Sequence, residues 1–277
     1  MPSAGARQLV DRAAGRPSLL SGLRAVLSHR ELIRNLVLKD LKLKYRGSVL
    51  GFLWSIVNPL ATVGVYTFAF NYVLNVPQPG FPFFLLVGLL AWTFFGNSAI
   101  MSTGAIVDNG SLIKAVRFPR LILPLATVLF NLAQYLLTII VLLPLMLLVY
   151  RRPASLSLLL FPVFLLFQVA LTVGVALILA AATAFFRDVR HFLELALSLL
   201  FWTTPIIYTF NQVPERLRPV LLWSPMTPFA VAYQHLFFYG DWPDAATWIG
   251  AAAYGIGVLL IGVHWFLSVE EQLLERI

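Results

Sequence analysis

The residues that could carry acid–base chemistry are few and badly placed for it. Asp108, Asp188 and Glu194 border long apolar runs with basic neighbours close by. Asp188 lies between Arg187 and Arg190, a spacing that suits a local ion pair rather than a pair of proton-transfer groups. His264, beside Trp265, is the one titratable side chain inside an apolar run, and a lone interfacial histidine suits packing or headgroup contact better than a proton relay. Ion-coupled transport needs ionisable groups at membrane depth, and none of Asp, Glu, Lys or Arg falls there. Cysteine is absent, which removes disulfides, thiolate zinc sites and thiol catalysis. The lysines are Lys39, Lys42, Lys44 and Lys114, and none follows the glycine loop of a nucleotide-binding P-loop. No cofactor and no metal is expected in this chain. What is abundant is aromatic surface, with 22 Phe, 9 Tyr and 7 Trp.

The elements that must position these residues are written in the spacing of the charges. The chain has 277 residues, 60% hydrophobic and 12% charged, about half the charged fraction of a soluble domain. No charge occurs between Arg46 and Asp108, Arg120 and Arg151, Arg152 and Arg187, Glu194 and Glu215, or Asp244 and Glu270. A membrane span takes roughly 20 apolar residues. The first run holds two, split at Asn75-Val76-Pro77-Gln78-Pro79-Gly80. The fold class predicted is an all-α integral membrane protein with six transmembrane helices, about 52–74, 83–106, 121–149, 157–184, 192–210 and 246–268, making a domain over 51–277. With six spans, 16 Lys and Arg fall on the side of the termini and 4 on the other, so the positive-inside rule puts both termini in the cytosol. The formal charge of +8 is concentrated beside an apolar span and does not point to nucleic acid.

Residues 1–28 lack the compact apolar core of a signal peptide and read as a cytosolic lead-in. Within 29–50, Leu32, Ile33, Leu36, Val37, Leu41 and Leu43 share one half of a helical wheel. Glu31, Arg34, Asn35, Lys39, Lys42 and Arg46 take the other, with Asp40 and Lys44 intruding on the apolar half. That predicts an amphipathic helix in the interface plane, serving anionic headgroups or a cytosolic partner. Between the fifth and sixth spans, 219–240 carries no charge but contains Pro219, Pro225 and Pro228 with Ser224, Gln234 and His235. Two short re-entrant helices at the extracytoplasmic side fit this better than a seventh straight span.

Four ordered segments resemble the membrane subunit of the type-2 ABC exporter family, in its polysaccharide and polyol-phosphate branch (O-antigen, teichoic acid and galactan exporters). They are Leu38-Lys39-Asp40-Leu41-Lys42-Leu43-Lys44-Tyr45-Arg46-Gly47-Ser48-Val49-Leu50-Gly51-Phe52-Leu53-Trp54 closed by Asn58-Pro59; Asn109-Gly110-Ser111-Leu112-Ile113-Lys114 running to Phe118-Pro119-Arg120 and Leu123-Pro124; Phe186-Arg187-Asp188-Val189; and Pro205-Ile206-Ile207-Tyr208 followed by Val213-Pro214. The chain departs from the pattern at Ser224-Pro225, where the family commonly has Asn-Pro, and at Gln234-His235, where it commonly has arginine. The resemblance implies that 30–46, with Glu31, Arg34 and Lys39, rests on a separate cytosolic ATPase that binds ATP and Mg. It implies that Asn109, Leu112, Ile113, Lys114 and Arg117 form the coupling helix entering that ATPase, and that 211–240, with Pro214 and Pro225, forms the exit gate. It also implies a homodimer of permeases with two ATPase copies in the bacterial cytoplasmic membrane, and no enzymatic activity in this chain.

For an exporter of lipid-linked glycan, aromatic rings would stack on the apolar faces of sugars without demanding one hydroxyl pattern. The expected path residues are Tyr45, Trp54, Tyr66, Phe70, Tyr72, Trp92, Phe95, Trp202 and Tyr208. The tyrosines are the first choice, since a buried hydroxyl needs a partner. Pro205 is the expected hinge inside the fifth span. A drug or lipid exporter of the same superfamily, a membrane-embedded transferase and a passive channel are the competing readings.

Overall fold

The computed structural model describes residues 26–74, 79–116, 118–151 and 155–276. Most of the lead-in 1–28, the turn residues 75–78 and Arg117 fall outside these. All regular structure among the described residues is helical.

Helix α1, Arg30–Tyr45, buries Ile33 and Leu36 and leaves Glu31, Arg34, Asn35 and Lys39 exposed. The chain then turns at Gly47, whose φ of +74° favours glycine. Helix α2, Trp54–Phe68, is extended by a single wide turn at Ala69–Val73. Helix α3, Phe81–Gly104, follows, and then the six-residue α4, Gly110–Ala115. Helices α5, Ile122–Val149, and α6, Phe161–Phe185, are long and apolar. Helix α7 is Val189–Thr203, and the short α8 and α9 are Arg218–Leu222 and Thr227–Tyr233. A wide turn at Gln234–Tyr239 leads to α10, Ala245–Arg276. Asp244 starts α10 by accepting the Thr247 N–H at 2.9 Å, a side-chain cap on the free amides of the first turn.

Helix α3 is the axis of the bundle. It is apolar on every side, and 78% of its most apolar stretch is buried, against 6% for the stretch containing α2. A helix apolar all round must be enclosed by protein or lipid; α3 takes the first option and α2 is left to the second. One cluster of buried side chains gathers Ile33, Leu36, Ile106, Ile113, Ile122, Phe266 and Leu273 at the end where α1 lies, here called the basic end. A larger cluster runs from there to α9 at the opposite end. Exposed Ile140, Leu148, Leu166, Ile249 and Ile261 form the outer apolar surface. Helices α6 and α10 meet backbone to backbone: a Cβ on Gly255 would come within 2.7 Å of the Phe167 carbonyl, and Cβ atoms on Gly174 and Gly262 would strike the Val258 and Gly174 carbonyls. Small residues permit such contact between membrane helices.

The fifth expected span needs correcting. Helix α7 ends at Thr203, and Thr204 is extended (φ −88°, ψ 130°) because Pro205 disfavours a helical residue before it. Its 15 residues reach about 22 Å, short of the roughly 30 Å hydrocarbon layer. Pro205 therefore lies beyond the helix and not inside it. Among the described residues five stretches are long and apolar enough to cross a membrane: Gly51–Val73, Phe81–Gly104, Ile122–Val149, Leu156–Phe185 and Ala245–Leu273. No straight helix covers 219–240; the chain breaks between α8 and α9.

Candidate translocation groove and coupling surface

An open groove of about 550 Å³ runs between α2, α3 and α7. Its aromatic wall is continuous. Phe201 is the hub, with ring centroids 5.6 Å from Trp92, 6.3 Å from Tyr66 and 5.8 Å from Trp202. Thr62, Thr93, Asn97, Glu194 and Ser198 supply polar groups along the same groove. Flat apolar rings beside hydroxyl and amide groups make a surface that matches a ligand with apolar faces and polar edges.

The expected path residues divide. Tyr66, Trp92 and Trp202 line the groove, and Phe95 supports Trp92 from behind at 6.0 Å while itself buried. Trp54 lines a separate cavity on the other side of α2. Phe70 packs on Phe81 at 5.4 Å, and Tyr72 is exposed against Phe68. The preference for tyrosine hydroxyls is not matched at two of the four positions. Tyr45 Oη meets Ser55 Oγ at 2.5 Å, and Tyr208 donates to the Trp202 carbonyl at 2.8 Å, so both hydroxyls already have protein partners. Phe201, the hub, is not among the expected path residues; only the rings gathered around it mark its place.

At the basic end, the outer face of α1 presents the Glu31–Arg34 pair at 3.8 Å and Lys39 beside Asp40 at 3.9 Å. Burial raises the Asp40 pKa, and Lys39 partly offsets this. Helix α4 sits close to α1: Ile113 is buried in the cluster with Ile33 and Leu36, Leu112 is half-buried against it and Lys114 is exposed. Ile113 thus anchors α4 from within and is not an outward contact. Asn109 occupies the residue before α4, yet its amide donates to the Ala105 carbonyl at 3.0 Å and closes the end of α3 instead. Arg190 pairs with Glu194 at 3.6 Å, one helical turn on, in place of the expected pairing with Asp188. Arg120 binds Glu270 through its side chain at 3.4 Å and its backbone N–H at 3.0 Å, joining the approach to α5 to the far end of α10.

At the opposite end, Pro205 is buried and its carbonyl accepts from Gln234 Nε2 at 2.7 Å. Ser224 Oγ meets Thr204 Oγ1 at 2.6 Å. The two departures from the family pattern, Ser224 and Gln234, are therefore the residues that tie the outer helices to the end of α7. Pro214 is exposed ahead of the turn Glu215–Leu217, and Pro225 is half-buried between α8 and α9. A buried polar row on α5 went unread in the sequence: Thr127, Asn131, Gln134 and Thr138. Its spacing of three and four is visible in the sequence and puts all four side chains on one helix face.

Five stretches long and apolar enough to cross a membrane and an open aromatic groove between α2, α3 and α7 fit a transport subunit. The chain matches the ABC-2 type transporter family over residues 31–238 and belongs to that family. It is 36% identical over 260 residues to the O-antigen export system permease protein RfbA of Myxococcus xanthus, covering 92% of this chain and 98% of that one. A protein of the same name from Klebsiella pneumoniae is 35% identical over 202 residues, covering 73% and 78%. The polysialic acid transport protein KpsM of Escherichia coli is 24% identical over 248 residues, covering 87% and 95%.

Proposed function

We propose that this chain is the membrane subunit of an ATP-driven exporter that moves a lipid-linked polysaccharide of the O-antigen, teichoic-acid or galactan class across the bacterial cytoplasmic membrane. The observation that carries the reading is similarity along almost the whole length of an O-antigen export permease. The aromatic groove gives that reading a physical route. In one copy the groove is open on one side, and α7 beside it exposes Phe192, Leu195, Leu199 and Trp202. A second copy meeting this face would close two grooves into one conduit, so the working unit is a homodimer. A cytosolic ATPase on each copy, holding ATP and Mg, would press on α1 and α4. Because Ile113 joins α4 to α1 and α5 in one packed cluster, a push on α4 passes into the span behind it. Both termini then lie in the cytosol. The sixth crossing is made by α7 together with the extended link through Pro205, and α8 and α9 are re-entrant at the outer side, where Pro205, Pro214 and Pro225 bound the gate.

The test is a strain in which this gene is replaced by the double variant Trp92→Ala, Phe201→Ala. Losing two stacking rings, each worth about 0.5–1.5 kcal/mol beyond its area, should lower surface polysaccharide about tenfold. Permease level and copurification of the ATPase should hold. Unchanged surface polysaccharide in the complete deletion would remove the reading. Loss of amphipathic-drug efflux instead would transfer the chain to drug export.

A further inference from the structure

On the far side of α2 from the aromatic groove lies a cavity of about 130 Å³, between the end of α1 and helices α2, α3 and α5. It adjoins a wider recess of about 530 Å³ that reaches Asp40 on α1. Lys44 lines both. Lys44 is exposed as a residue, while its ammonium donates to Gln134 Oε1 and stands 5.9 Å from the Phe130 ring. Burial lowers its pKa. Gln134 is only 8% exposed, and its Nε2 has no partner. The amide cannot be turned round, because an ammonium has nothing to accept with. The cavity therefore contains a cation, a buried N–H donor without an acceptor, and no carboxylate.

Each of these features is unfavourable alone. A buried donor left unpaired keeps its full desolvation penalty, and a partly desolvated ammonium with only a neutral partner is poorly compensated. One anion with several oxygens would satisfy both. The cavity holds roughly the liquid volume of four waters, the scale of a phosphoryl group and not of a sugar chain. It lies beside α2, the span left largely to lipid. Asn97 lines this cavity, the recess and the aromatic groove alike, so an anion held here is one side chain away from the proposed path.

We propose that the cavity docks the phosphate-bearing headgroup of the lipid-linked substrate, with Lys44 as the charge contact, Gln134 Nε2 as the second donor, the lipid tail in the bilayer beside α2 and the sugar directed past Asn97 into the groove. The inference rests on the glycan-export reading and adds to it the site at which the carrier lipid is gripped. Asp40 at the mouth of the recess opposes a second anion there.

The experiment uses the permease–ATPase complex in phosphatidylcholine nanodiscs. A long-chain polyprenyl diphosphate is the probe, and phosphatidylglycerol and inorganic pyrophosphate are tried as competitors. Lys44→Gln should weaken probe binding about tenfold or more, Lys44→Arg should stay within about threefold, and Gln134→Leu should weaken it by about threefold to tenfold. Should Lys44→Gln fail to assemble with the ATPase, Gln134→Leu carries the test alone. Wild-type affinity in the variants overturns the site, as does equal competition by inorganic pyrophosphate, which would make it a free-anion site, or by phosphatidylglycerol, which would make it a general lipid contact. Unaltered surface polysaccharide in a Lys44→Gln strain also overturns the docking site while sparing the export reading. Unaltered polysaccharide in the deletion strain defeats that reading itself.

Discussion

The seam between α6 and α10 and the flank of α2 are built on opposite rules. At the seam, Gly174, Gly255 and Gly262 let two backbones touch, leaving no room for a methyl group. At the flank, α2 lies over α3 with a cavity on one side and a groove on the other, and most of its own surface faces away from protein. Close packing resists displacement, because interiors change between discrete arrangements and do not deform smoothly. The contrast separates a tightly packed scaffold (α6 and α10) from a less enclosed flank (α2), and both candidate binding surfaces border that flank.

The strongest way to break the comparison is to insert bulk at the seam. Gly262→Leu should destabilise the protein by about 3 kcal/mol or more, since overpacking of a tight contact forces the backbones apart. Thermal unfolding in detergent, together with the amount inserted in membranes, would show it; a small change would mean the seam is looser than its geometry. A smaller loss is expected where the scaffold meets the basic end. Glu270→Gln removes the charge from a contact with both the side chain and backbone of Arg120, and should cost about 1–2 kcal/mol, read from limited proteolysis of the α10 end. The mildest case is Asp244→Ala at the start of α10, about 1 kcal/mol. The pKa of Asp244 lies below the ordinary 3.8, first because Thr247 hydrogen-bonds its carboxylate, with burial acting in the other direction. A lowered folded pKa stabilises fully above the unfolded value and is lost as pH falls through the folded one. The gap between wild type and the variant should therefore be constant near neutrality and shrink below about pH 4, as followed by thermal melts across that range. A gap that widens in acid would contradict the cap.

The long apolar elements could be read from the sequence because charge is excluded from lipid-facing backbone over a fixed length, and the charge-free runs measure that length directly. The end of α7 was harder. Pro205 was visible, but whether a proline kinks a helix or ends it depends on what takes up the backbone groups beyond, and here Gln234 does so from 29 residues away. Ile113 looked like an outward contact because the buried cluster it joins, with Ile33 and Phe266, is assembled from distant segments. The same holds for the glycines of the seam: a glycine in one helix does not say which neighbour approaches it. Tyr66, Trp92 and Trp202 were picked out by type, whereas Phe201, equally aromatic, stands out only once their rings are seen to surround it.

The hydrogen bond from Gln234 to the Pro205 carbonyl has a mechanical meaning. A proline that ends a helix exposes a carbonyl at the point where the chain would otherwise be free to swing, and here that point is fastened to the outer helices. Under the export reading proposed above, an outward swing of α9 would pull on the tip of α7, and with it Phe201 and Trp202, so the exit and the aromatic wall would open together. In such an arrangement the conduit would widen along its length in one stroke and not ring by ring.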